Sequence, residues 1–466
     1  MYVFYTLYLY LTSDGRKKPV DKEYIPYFGL NINPYRMKKI ILSNLLLLVL
    51  SLFSAQASPE LKLSATTSGQ YHMVIEGFDW GPHVSKVILA LDNEIEKANA
   101  SDFTVFVNRS TDLGDIPTDQ KSGIRDILQA FVTDQNGQKV AKGKYIMLTL
   151  EVAPFKPLGS AIQYLRGKGN VWIDYQLTIV QKSTSEIWNK ESGRSIPILD
   201  EFDLTGKFTH QDITMSYADF KPKNTPGKAP LLIWLHGGGE GGTDPSIAAI
   251  GNKAINYASD EIQSIFEGAY VLIPQAPTFW MNSVEGGYTT GAKDDIYNKG
   301  LMALIKDYVA KNPGIDQNRI YVGGCSNGGY MSLKLLLNNP DYFAAAYISA
   351  LAYSSEFITD EQIKSIKNIP IWFVQSKDDM TTVPEQTVVP VYQRLTKAGA
   401  KNVHFSFYDH VIDITNQYGG ASYHYNGHWS WVYLHANECH LDYDGKPVKV
   451  NGMPVNIMQW LSAQKK

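Results

Sequence analysis

Ser326 is the residue around which chemistry can be assembled. It stands in Arg319-Ile-Tyr-Val-Gly-Gly-Cys-Ser-Asn-Gly-Gly-Tyr-Met331, which reads as a buried strand, a glycine-packed turn and the first turn of a helix. In a nucleophile elbow of this kind the serine is strained at the apex, and only residues with little or no side chain fit two positions either side of it. Gly324 and Gly328 occupy those positions. The turn would lift the Ser326 hydroxyl above the sheet and set the Asn327 N–H at a helix N-terminus, where negative charge is favoured. With 37 Gly in 466 residues, a bare G-x-S-x-G match arises by chance about 0.2 times, so the flanks decide. Ile320 to Val322 is an apolar run suited to a doubly covered strand, and Tyr330 to Leu337 continues as a helix stopped by Asn338-Asn339-Pro340.

Such a serine needs a base, a carboxylate to orient the base, and donors for an oxyanion. His236-Gly-Gly-Gly-Glu-Gly-Gly242 follows directly on the apolar run ending at Leu235 and offers main-chain N–H groups. No Gly-Lys-Ser/Thr follows, which excludes a phosphate cradle. His236 precedes the serine, against the order serine, acid, histidine, and is read as ordering its loop. Ile371-Trp-Phe-Val-Gln-Ser-Lys-Asp-Asp379 supplies two adjacent carboxylates just past a strand. Six histidines lie beyond them: His404, His410, His424, His428, His435 and His440. The base belongs in a loop after the last strand, which leaves His410, His424 and His428.

These groups need a frame. From about residue 205 the pattern alternates strands (Ile213–Tyr217, Leu231–Leu235, Ala269–Ile273, the elbow strand, Ala344–Ile348, Ile371–Val374, Val403–Tyr408) with helices, clearest where Leu301, Leu304, Ile305, Tyr308 and Val309 recur ahead of Asn312-Pro313. That alternation predicts a mostly parallel sheet with helices on both faces. Ahead of it, Tyr71–Ile75, Val84–Leu91, Phe103–Val107, Ile127–Val132, Tyr145–Val152 and Val171–Val180 read as short strands with no long helix between them, an all-β immunoglobulin-like sandwich. This half shows no catalytic constellation and is read as a packing or docking module, with self-association a further expectation. The polar stretch from Lys182 to about Gly206 is expected to be the linker.

His-Gly-Gly-Gly-Glu-Gly-Gly, Pro274-Gln-Ala-Pro-Thr-Phe-Trp280, Gly-Gly-Cys-Ser-Asn-Gly-Gly-Tyr and Gly427-His-Trp-Ser-Trp431 together resemble the α/β-hydrolase esterases and peptidases related to prolyl oligopeptidase and polyhydroxybutyrate depolymerase. Glu76-Gly-Phe-Asp-Trp-Gly-Pro82 resembles the opening of the immunoglobulin-like domain found ahead of some bacterial esterase domains. The resemblance implies His428 as base and Gly238 and Gly239 as oxyanion donors beside Asn327, with a shift of one residue either way left open. It prefers Asp379 as acid, although one extra residue before Val383-Pro384 leaves Asp378 open. Trp280 is implied at the active-site mouth, in contact with substrate, and a core position is weighed equally.

Met37 to Ala57 has the three parts of a secretory signal: Lys38 and Lys39, an apolar core from Ile40 to Phe53, and Ala55-Gln56-Ala57 as cleavage site. The expectation is therefore a secreted or periplasmic protein with no stable membrane span after cleavage, Met37 as initiator and residues 1–36 as an over-extended start. The mature chain would carry 36 Lys/Arg against 43 Asp/Glu, net −7, which argues against a nucleic-acid partner. The domain plan is 58–200 for the sandwich and 205–466 for the hydrolase. Cys325 and Cys439 are the only cysteines, and Cys325 is read as a small buried side chain. No cofactor is expected: His-Glu-x-x-His and Cys-x-x-Cys do not occur, and Asp442-Tyr-Asp-Gly445 reads as a turn. The leading expectation is a carboxylesterase acting on short-chain or polysaccharide-linked acyl esters. A serine peptidase, or a surface binding protein with an inert hydrolase domain, are the alternatives.

Overall fold

Alternating apolar residues build the N-terminal half of the computed structural model, which describes residues 68–466; the segments 1–36 and 37–57 lie outside the described residues. Its strands are β1 (Gly69–Phe78), β2 (Gly81–Ile95), β3 (Phe103–Ser110), β4 (Ser122–Arg125), β5 (Ile127–Thr133), β6 (Gly143–Leu150), β7 (Ile162–Leu165), β8 (Gly169–Trp172), β9 (Asp174–Gln181) and β10 (Ile187–Ser195). Tyr71, Met73 and Ile75 in β1, and Phe103, Val105 and Val107 in β3, turn every second side chain inward. Eight strands join in the order β4-β3-β9-β10-β1-β2-β6-β5. The ribbon folds over one core that includes Leu89, Leu148 and Leu177, and β3 meets β5 from the opposite end, which gives the immunoglobulin-like sandwich.

Two expectations fail here. The run Val171–Val180 is two strands, not one: β8 pairs with β7 in a separate hairpin, and the chain breaks at buried Ile173 before β9 joins the large sheet. The stretch from Lys182 contains β10, which pairs parallel with β1 and antiparallel with β9. Only Trp188 of β10 is buried, its Nε1 donating to the Ala90 carbonyl at 2.8 Å. Main-chain pairing needs no apolar side chains, so a strand with solvated residues carries little sequence signal.

The second sheet contains β11 (Asp203–His210), β12 (Ile213–Phe220), β13 (Ala229–Leu235), β14 (Tyr270–Gln275), β15 (Ile315–Cys325), β16 (Ala345–Ser349), β17 (Ile371–Ser376) and β18 (Val403–Tyr408). Their order is β11-β12-β14-β13-β15-β16-β17-β18, parallel from β14 to β18, with β11 and β12 antiparallel at one edge. This is an α/β-hydrolase sheet. Every residue of β13, β16 and β17 is buried, because both faces are covered. Along β13, Leu231, Ile233 and Leu235 enter one core with α3 (Asn298–Lys311), α4 (Asn327–Asn338), α5 (Asp360–Ile366) and α6 (Val388–Lys397). Leu232 and Trp234 enter the other, with α1 (Pro245–Ile250), α2 (Asp260–Phe266), α7 (Trp431–His435) and α8 (Ile457–Ser462).

Both domains lie within one compact unit. Asp79 pairs with Lys253 at 2.9 Å, Trp172 Nε1 donates to Ser246 Oγ at 2.8 Å, and Trp80 packs edge-on to Tyr418. These contacts turn the β7–β8 hairpin towards the C-terminal edge of the hydrolase sheet, where the parallel strands deliver the site.

Candidate active site

Ser326 sits between β15 and α4 with φ 55° and ψ −113°, a backbone that side-chain-bearing residues rarely adopt. The two flanking glycines make that turn possible. A Cβ on Gly324 would lie 2.6 Å from the Gly328 carbonyl carbon, and one on Gly328 would overlap the Leu235 carbonyl. Both residues are held where β13 and the elbow cross, so even alanine does not fit.

The Ser326 hydroxyl lies 2.8 Å from His428 Nε2, and His428 Nδ1 lies 2.9 Å from Asp379 Oδ2. The carboxylate only accepts, so Nδ1 carries the proton and Nε2 is left to accept from the serine. Three segments supply this relay: the elbow, the loop after β17, and the turn ahead of α7. Asp379 is itself fixed by four donors, the Thr381 and Thr382 N–H groups at 2.8 and 2.9 Å, Gln375 Nε2 at 2.8 Å and Thr382 Oγ1 at 2.7 Å. Burial would raise the Asp379 carboxyl, but the His428 hydrogen bond and charge, with the Thr382 donors, outweigh it and hold the pKa below the usual value.

Asp378, the alternative acid, points elsewhere, with Oδ2 2.8 Å from His410 Nδ1. His410 in turn stacks on His424 at 4.2 Å. His404 in β18 pairs with Asp442 at 2.6 Å, and His435 is buried at the end of α7. His236 is buried beneath the glycine loop, its Nε2 accepting from the Ala276 N–H at 3.0 Å while Nδ1 donates to the Gly237 carbonyl at 2.6 Å. Burial lowers its pKa to about 4, which keeps it a neutral fastener.

Gly238 is exposed and Gly239 half-buried at the cleft floor, and Asn327 opens α4. The N–H groups of all three have no hydrogen-bond partner among the described residues. Asn327 also ties the floor to the neighbouring loop: its Oδ1 accepts from the Met281 N–H at 3.0 Å and its Nδ2 donates to Tyr288 Oη at 2.8 Å. Trp280 is not at the mouth. It is completely buried against His236 and Tyr297, while its neighbour Phe279 lines the cleft together with Tyr288, Tyr164, Trp80, Trp429 and Trp431. The loop turns over at this point, so adjacent aromatics face opposite ways.

The cleft is about 720 Å³, and the N-terminal domain forms one of its walls. Gln163, Tyr164 and Asn170 of the β7–β8 hairpin line it opposite Ser326 and His428. Sequence reasoning missed these residues; the available signal was the glycine-rich turn Arg166-Gly-Lys-Gly-Asn170, directly ahead of the Val171–Val180 strand assignment. Gln375 and Thr382 were missed as well, and only their proximity to Asp379 in sequence hinted at them.

Residues 70–191 match the family model described as esterase Ig-like N-terminal domain, and residues 299–362, which contain the elbow, match the prolyl oligopeptidase family. The chain is a serine hydrolase. Among solved structures the hydrolase is similar to a thermostable esterase at 22% identity and TM-score 0.67, over 86% of this chain and 100% of that one, a likeness of fold. An acylaminoacyl peptidase of Pyrococcus horikoshii (13% identity, 70% of this chain, 65% of that one) and a bacterial heroin esterase (17%, 45% and 78%) align with TM-scores of only 0.34 and 0.32. No curated protein matches the chain in sequence.

Proposed function

We propose that the hydrolase is an exported carboxylesterase that cleaves uncharged acyl esters, short-chain or carried on a polysaccharide, through Ser326, His428 and Asp379. The observation that carries the reading is the unbroken hydrogen-bonded path from Asp379 through His428 to a strained Ser326 at the cleft floor. His428 takes the hydroxyl proton as Ser326 attacks the ester carbonyl; the oxyanion is received by N–H groups of Asn327 and the Gly238–Gly239 loop. The imidazolium then protonates the leaving alcohol. Water, deprotonated by the same imidazole, releases the acid from the acyl-enzyme.

The preference for a neutral ester rests on the charges of the cleft wall. Asp79 is paired with Lys253, Arg109 donates to three main-chain carbonyls and Gln163, and Glu240 is buried under asparagine amides. Among the described lining residues the charged side chains are thus engaged within the protein and not free to hold a peptide terminus, while exposed Tyr164 and Tyr288 offer apolar faces with polar tips. Hydrolysis of p-nitrophenyl acetate and butyrate, set against a proline-containing chromogenic peptide, tests this. Peptide turnover without ester turnover would sink it, and absence of fluorophosphonate labelling at Ser326 would favour an inert binding protein. Export rests on the segment 37–57, and a mature N-terminus at Ser58 found outside the cytoplasm is the expected result.

A further inference from the structure

The loop that would receive the oxyanion contains three consecutive glycines, Gly237 to Gly239, and so has no side chains of its own to pin it. Glycine-rich segments populate many backbone states, and a main-chain donor is useful only if its peptide plane is fixed beforehand. At one end His236 supplies an anchor through Ala276. The other end is anchored from the N-terminal domain. The Asn170 N–H donates to the Gly239 carbonyl at 2.6 Å, and Asn170 Nδ2 donates to Glu240 Oε1 at 2.8 Å. Gly169, with φ 81°, allows this approach, since a Cβ there would overlap the Gly239 carbonyl. Glu240 is only 4% exposed; its second oxygen accepts from Asn252 Nδ2 at 3.1 Å and its carbonyl from Gln275 Nε2 at 2.9 Å. Cys325 Sγ is the other titratable group facing it.

We propose that Asn170 is a positioning residue for ester hydrolysis: by holding Gly239 and Glu240 it keeps the N–H groups of Gly238 and Gly239 turned towards the cleft. The N-terminal domain then completes a site whose reacting groups all lie in the other domain. The Gly239 carbonyl, which shares its peptide plane with the Glu240 N–H, is taken up by the Asn170 N–H and so is not free to turn its oxygen onto an oxyanion. This rests on the esterase reading above, and the two can fail separately.

The experiment uses full-length variants assayed on p-nitrophenyl butyrate, with active sites counted by fluorophosphonate titration. Asn170→Ala keeps the main-chain bond to Gly239 but removes the amide donor to Glu240, and is expected to lower kcat per titrated site about 10- to 100-fold, while KM changes by less than about threefold. Asn170→Asp sets two carboxylates together and should lose more above pH 7, recovering on acidification as the pair takes up a proton. The double variant Asn170→Asp with Glu240→Gln exchanges donor and acceptor, and is expected to regain most of the lost kcat. A folded Asn170→Ala with kcat within about twofold of wild type overturns the proposal. So does a double variant that regains thermal stability without regaining kcat. Ser326→Ala that still turns over ester would overturn the esterase reading instead, whatever Asn170→Ala does.

Discussion

Asp378 and Asp379 are adjacent, each bonds a histidine, and the two distances, 2.8 and 2.9 Å, are nearly equal. Their surroundings differ. The side chains of Asp379 and His428 are 0% and 12% exposed, those of Asp378 and His410 37% and 46%. The buried carboxylate has four further donors and its histidine reaches Ser326; the exposed pair faces solvent and a second imidazole. Distance alone therefore does not mark a functional pair. Burial separates the two pairs, because a low-dielectric surround strengthens the interaction, while water screens the exposed pair to about 0–1 kcal/mol.

The comparison breaks if the two aspartates behave alike. Asp379→Asn is expected to lower kcat on p-nitrophenyl butyrate about 10⁴-fold, with fluorophosphonate labelling slowed in parallel; Asp378→Asn should stay within about threefold in the same assay. Equal losses would mean that His410 reaches the reaction. A smaller effect sharpens the cause. Thr382→Val removes one buried donor from Asp379, worth about 1.5–3 kcal/mol, and should cost about tenfold in kcat and raise the carboxyl's pKa. Thr382→Ser, which keeps the hydroxyl, should recover most of the loss.

Glu240 gives the opposite case of a buried carboxyl. Burial pushes it up to about 7 despite donors from Asn170 and Asn252, since no cation or imidazole faces it. The folded value lies above the unfolded one, so the stability that its proton confers is complete below about pH 4.5 and is lost as pH rises through 7. Glu240→Gln should thus gain stability over wild type between pH 5 and pH 8, by up to the order of 3 kcal/mol, read from denaturant unfolding at the two pH values. A difference between variant and wild type that does not grow with pH would contradict this. The smallest change expected is in the exposed pair. Asp378→Asn should alter stability by under about 1 kcal/mol, and 1 M salt should erase even that.

Much of the site was legible because its constraints are local. The elbow needs Gly324 and Gly328 within two residues of Ser326, and the helix after it announces itself by Leu333, Leu335 and Leu336. The doubly covered strands were legible from unbroken apolar runs such as Leu231–Leu235. Trp280 misled, because a resemblance in loop sequence does not say which of two neighbouring aromatics turns inward. The hairpin carrying Asn170 was hidden for a related reason: a four-residue strand with partly solvated side chains looks like the start of the next strand.

The sequence alone pointed to the candidate nucleophile, the glycine loop, the two-domain plan and a short choice of acids and bases, largely through steric and periodic rules acting over a few residues. Only the tertiary structure decided that Asp379 rather than Asp378 faces His428, that Trp280 belongs to the core, and that a hairpin of the first domain seats on the glycine loop of the second. Those outcomes depend on burial and on contacts between segments tens to more than a hundred residues apart. Their strength is set by the dielectric and geometry created when the segments meet, and neither exists in the chain before it folds.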